Sequence, residues 1–146
     1  MVALPRVGNE PRLLPSTEAE AEPELLQTVL GHFRSGNDFF QTANFLDIGT
    51  VNDVSRVVNS FRILSEDPNV RAVLINIFGG MARVDVIAQG VVDAHKEMAV
   101  RVPVVTRLAG TNLEEGERIL KESGLPVIRA ADLGEAAKKA VAAARG

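Results

Sequence analysis

Cysteine is absent from the 146 residues. That excludes disulfide staples, cysteine-ligated zinc or iron–sulfur sites, and a thiol nucleophile. No stretch approaches the roughly 20 consecutive apolar residues that a membrane-spanning helix needs, and no basic-then-apolar leader marks the amino terminus. A membrane partner is therefore not expected, and a cytoplasmic-type protein fits best. Positive charge is not in excess either: 16 basic against 19 acidic residues give a formal net charge of −3. Nothing in that balance draws nucleic acid. What is present is an ordinary globular composition, 46% hydrophobic, in a chain about one domain long.

The first segment, Met1 to Pro23, combines prolines with Glu18, Glu20 and Glu22 and offers little apolar surface to bury. It reads as a flexible leader. Leu25, Leu26, Val29, Leu30 and Phe33 then recur at helical spacing before the turn residues Ser35-Gly36-Asn37-Asp38. Residues 1–36 are accordingly expected to be a leader with a short helix, and 37–146 the folded domain.

From Ala43 onward the pattern is regular. An apolar segment from Ala43 to Ile48 precedes a helical stripe of Val54, Val57, Val58, Phe61 and Leu64. The buried-strand run Arg71 to Phe78 is broken by Gly79-Gly80, after which Val84, Ile87, Ala88, Val91, His95 and Met98 share a helical face. Pro103 to Leu108 and Pro126 to Arg129 repeat the strand signal. Each precedes a helix, one over Leu113, Gly116, Ile119 and Leu120 and capped near Gly124, the other over Leu133 to Ala144. Four strand–helix units with continuously apolar strands predict an α/β fold, an open doubly wound parallel sheet with right-handed crossovers. Ligands then collect at the carboxyl ends of the strands, where helix N-termini favour anions.

The loop that topology singles out runs from Asn76 to Asp85. Gly79 and Gly80 are free to adopt positive φ, the N–H groups of Met81 and Ala82 can then aim at a carboxylate or phosphate, and Arg83 adds charge. By itself the glycine pair is more simply a tight strand-to-helix turn. The wider pattern is more specific. Ala43-Asn44-Phe45-Leu46-Asp47-Ile48-Gly49, Val73-Leu74-Ile75-Asn76-Ile77-Phe78-Gly79-Gly80 and Val104-Val105-Thr106-Arg107-Leu108-Ala109-Gly110-Thr111-Asn112 follow one another in an order and spacing that resemble the succinyl-CoA synthetase (succinate–CoA ligase) β subunit. The resemblance covers Ala43 to Gly146, the carboxy-terminal CoA-ligase domain of that subunit, and implies a flavodoxin-like doubly wound parallel sheet.

The resemblance implies a ligase of the tricarboxylic acid cycle that joins a carboxylic acid to CoA at the expense of a nucleoside triphosphate, through a phosphohistidine on the α subunit. It implies that Gly79, Gly80, Met81 and Ala82 bind the small carboxylic acid or phosphate at the N-terminus of a helix. It also implies that Gly49, Arg83, Arg107, Gly110, Thr111 and Asn112 belong to a phosphate loop or a subunit interface. No catalytic residue or metal ligand is assigned to this chain, and no cofactor is expected on it. CoA, nucleotide and Mg would sit on an α-type CoA-binding subunit and an ATP-grasp partner, without which the chain is expected to be inactive. A catalytically silent assembly or regulatory module with the same fold is the alternative.

Departures from the family pattern bear on that choice. The family's usual DVGGGA reads Asp47-Ile48-Gly49-Thr50-Val51-Asn52 here, and the glutamate of its RLEG motif is Ala109. The asparagine-glycine-alanine-glycine turn after the family's first strand is missing. The sheet would then lack an inner member unless a strand near Met1 to Val7 replaces it. His95 lies on an apolar helix face and reads as a packed, hydrogen-bonded histidine, and neither it nor His32 sits in a phosphohistidine motif. Asp47 resembles a response-regulator phosphoacceptor only in closing a strand, since no acidic pair or lysine accompanies it. The Glu114-Glu115-Glu117 cluster is a solvated face that also suits a helix N-terminus.

Overall fold

The structure, a computed structural model, describes residues 1–4, 44–49 and 52–146. The short helix expected over Glu24 to Arg34 lies outside the described residues, as does most of the expected leader. Strand β1 is Val2–Leu4, β2 is Asn44–Phe45, β3 is Ala72–Arg83, β4 is Val104–Thr111 and β5 is Val127–Arg129. The helices are α1 (Val54–Ser65), α2 (Val84–Met98), α3 (Leu113–Glu122) and α4 (Leu133–Arg145). The sheet order is β2-β1-β3-β4-β5, the order of flavodoxin-like doubly wound folds, and β3, β4 and β5 run parallel as expected.

Alternation along the strands divides the core. Val73, Ile75 and Ile77 of β3 and Val104 of β4 face one side, where they pack with Val57, Phe61 and Leu64 of α1, Ile87 and Val91 of α2, and Leu120 of α3. Ala72, Leu74 and Val105 face the other side, against Ala136, Ala137, Ala140 and Ala144 of α4. That alanine stripe lets α4 lie close to the sheet. The helix boundaries follow local chemistry: Asp53 caps α1 by accepting from the Ser55 N–H at 2.9 Å, and Asp132 caps α4 by accepting from the Glu135 N–H at 2.8 Å. Gly124, at φ +68°, takes the left-handed turn just beyond α3 that the sequence assigned to it.

Three expectations need correction. Val2–Leu4 belong to the sheet rather than to a leader: they sit between β2 and β3, with Val2 opposite both Phe45 and Leu74. This short strand fills the inner position that would otherwise be vacant. It runs antiparallel to both neighbours, so the sheet is mixed rather than wholly parallel. A three-residue strand completes its ladder in either direction, and composition alone carries no polarity. Finally, Gly79-Gly80 do not end β3, which continues to Arg83 because β4 goes on pairing through Gly110 and Thr111.

Candidate functional site

The carboxyl end of β3 is where the expected residues converge. Gly79 stands opposite Gly110, and the next pair is Arg83 with Thr111, so three residues on β3, Gly80, Met81 and Ala82, have no counterpart on β4. They form a bulge, a device that interrupts the ladder and re-aims the chain. Helix α2 starts immediately after it, with Arg83 as its N-cap residue in extended conformation. The helix therefore opens at Val84 and not at the glycine pair, and Gly80 carries no positive φ. A side chain added at Gly80 would meet nothing within 4 Å, so the bulge is open to its surroundings.

The third loop closes around this bulge. Thr111 Oγ1 donates to the Gly80 carbonyl at 2.7 Å. Asn112, held at φ +59°, a left-handed conformation that asparagine tolerates better than most residues, donates through Nδ2 to Asp85 at 3.2 Å. Arg107 lies one strand over from Asn76. Its guanidinium carbon stands 5.0 Å from the Phe78 ring centroid, and Nη1 donates to the Ile77 carbonyl at 3.4 Å. Gly110, Thr111, Asn112 and Arg107 thus gather with Gly79–Arg83. Gly49 stands apart at φ +67°, its N–H donating to Asp47 Oδ1 at 2.7 Å. That bond makes Asp47 a turn former.

The electrostatics are milder than an arginine beside a helix N-terminus suggests. Arg83 forms a two-pronged pair with Asp85, Nη2 to Oδ2 at 2.6 Å and Nε to Oδ1 at 3.2 Å. That guanidinium, together with Asn112 and the Val86 N–H, holds the Asp85 carboxyl below its ordinary range. One anion is thus already supplied to the α2 N-terminus by the chain itself, and the charges of Arg83 and Asp85 offset each other. What stays exposed are two large apolar side chains, Phe78 just before the bulge at 77% and Met81 within it at 71% exposure.

Two residues with clear roles here carried no assignment from the sequence. Asp85 was visible as an acid in a first helical turn, a common capping position. Asn52, just ahead of α1, donates from Nδ2 to the Met81 carbonyl at 3.4 Å and accepts from the Arg83 N–H at 3.0 Å. Its 31-residue separation from Arg83 left no local signal. His95, as read from its stripe, packs edge-on to Phe61 at 5.8 Å, with Nδ1 2.8 Å from the Val91 carbonyl. A cleft of about 410 Å³ lies at the opposite, amino edge of the sheet among Phe61, Leu64, Val73, Met98 and Val102, remote from these motifs.

Comparison with known proteins places the chain in a family. Residues 21–141 match the family model described as CoA-ligase. Over 101 residues the chain is 56% identical to the succinate–CoA ligase [ADP-forming] subunit beta of Aquifex aeolicus, covering 69% of this chain and 26% of that protein. It is 57% identical over 101 residues to the mitochondrial subunit beta of Arabidopsis thaliana, covering 69% and 24%. With the subunit beta of Bartonella quintana it shares 52% over 106 residues, covering 73% and 27%. The chain spans about a quarter of the length of these curated relatives. With its α/β sheet, its converging loops and a family match over most of its length, the chain belongs to the CoA-ligase family.

Proposed function

We propose that this chain supplies the acid-binding face of a CoA ligase acting on a small carboxylic acid, with succinate the first to test. The observation that carries the reading is the open bulge Gly80–Ala82 at the start of α2, in a chain that is 56–57% identical over 101 residues to succinate–CoA ligase β subunits. Backbone N–H groups of an exposed loop and the positive end of a 15-residue helix favour a carboxylate, and equally a phosphoryl group brought up on a partner's histidine. No group in the bulge is a nucleophile or a general base, so its part in the reaction is to bind and orient. CoA, nucleotide and Mg are assigned to an α-type CoA-binding subunit and an ATP-grasp partner. Exposed Phe78 and Met81 suit the surface that such a partner covers.

The second reading, a silent assembly module, is favoured by one feature: Asp85 already occupies part of the α2 N-terminus. Reconstitution separates the two. The chain is mixed with a separately produced ATP-grasp half and an α-type subunit, and succinyl-CoA formation is followed. Turnover is expected only from the complete mixture, and Gly80→Val should abolish it while the complex still assembles. An assembled complex whose turnover ignores Gly80→Val would support the silent module.

A further inference from the structure

A bulge leaves main-chain groups without ladder partners, and those groups must be satisfied elsewhere. Here one side chain takes a carbonyl of the bulge and the N–H of Arg83, the residue at which the ladder resumes. The Asn52 carboxamide donates to the Met81 carbonyl and accepts from the Arg83 N–H, bridging the two ends of the Met81–Arg83 segment. Asn52 is itself presented from a fixed point, since the next residue, Asp53, caps α1 through the Ser55 N–H. Asn52 thus tethers the loop proposed to bind the acid.

We infer that Asn52 is a positioning residue for the acid-binding loop: its carboxamide holds Met81–Arg83 in the one backbone conformation that receives a carboxylate. The inference rests on the reading of Gly80–Ala82 as that loop. Its physical basis is preorganisation. A loop that is competent only part of the time binds more weakly in proportion to the competent fraction, so a tether that raises the fraction lowers the apparent dissociation constant. Thr111, bonded to the Gly80 carbonyl, holds the other end and should act in the same direction.

The test uses the full chain with Asn52→Ala, Asn52→Asp and Thr111→Val. Asn52 is exposed, so its removal leaves the core intact. Amide hydrogen exchange at Arg83 should quicken by roughly two- to tenfold in Asn52→Ala, the protection that one modest hydrogen bond provides. Amides inside α2 should not change. Asn52→Asp keeps the acceptor and should restore slow exchange at Arg83. Succinate affinity, read from the rise in melting temperature over a chloride control of equal ionic strength, should fall by a similar factor in Asn52→Ala and in Thr111→Val. Unchanged Arg83 exchange in Asn52→Ala overturns the tether. Faster exchange with unchanged succinate affinity overturns the positioning role and leaves the acid-binding reading standing. A wild-type chain without any succinate-dependent shift overturns that reading, and the inference with it.

Discussion

Gly116 sits where α3 crosses the first residue of α2, and its replacement by alanine tests how firmly the candidate site is braced. A Cβ built there would lie 2.6 Å from Val84 Cγ1 and 2.8 Å from the Val84 carbonyl carbon and oxygen. Val84 is fully buried, and two of the three close atoms are backbone, which cannot rotate away. Overpacking of this kind costs about 1–3 kcal/mol, and rigid backbone places it toward the upper end. Alanine returns about 1 kcal/mol of helix propensity relative to glycine. The net expectation is a loss of about 1–2 kcal/mol, or about 3–8 °C in melting temperature for a chain of this size. Urea denaturation followed by circular dichroism, with an unchanged slope, measures it. Gly80→Ala is the control, because its Cβ meets nothing within 4 Å. Gly116→Ala as stable as the wild type would show that α2 and α3 can separate freely, and the bracing argument would fail.

Gly80→Val should leave stability within about 0.5 kcal/mol, the usual range for a surface change, since no positive φ and no close neighbour oppose it. A thermal melt checks this, and a larger loss would mean that the bulge backbone differs from the one described. Asp85 makes a pH prediction. Its folded pKa is depressed, chiefly by the bond from Arg83, so its contribution is complete above the unfolded carboxylate pKa of about 3.9 and is lost as pH falls through the lower folded value. Asp85→Asn should therefore be less stable than the wild type at pH 7, with the gap closing below about pH 4. A gap that is constant with pH would remove the ion pair as its cause.

The helices and the three parallel strands were legible because their signals are periodic: the stripes of α1 and α2 and the apolar runs of β3 and β4 exist in the sequence as spacings. The convergence of Gly79–Arg83 with Arg107–Asn112 followed from topology, since parallel neighbours end at the same edge. The polarity of β1 was not legible, because three residues, Val2–Leu4, pair equally well in either direction. Nor was the bulge, because glycines that signal a turn also permit an interrupted strand, and which results depends on whether Thr111 and Asn52 are there to take the freed carbonyls. Asn52 was hidden for the same reason as most site residues: its partners are distant in sequence, and its identity departs from the pattern that guided the rest.

The central claim, that the bulge at the head of α2 receives a carboxylate, is tested most directly by titrating the ¹⁵N-labelled chain with succinate and following each amide by NMR against a chloride control. Progressive, saturable shifts confined to Gly80, Met81, Ala82, Arg83 and the first turn of α2 are the predicted result. Shifts that map instead to the cleft between Phe61 and Met98, or that do not exceed the chloride control anywhere, would contradict it.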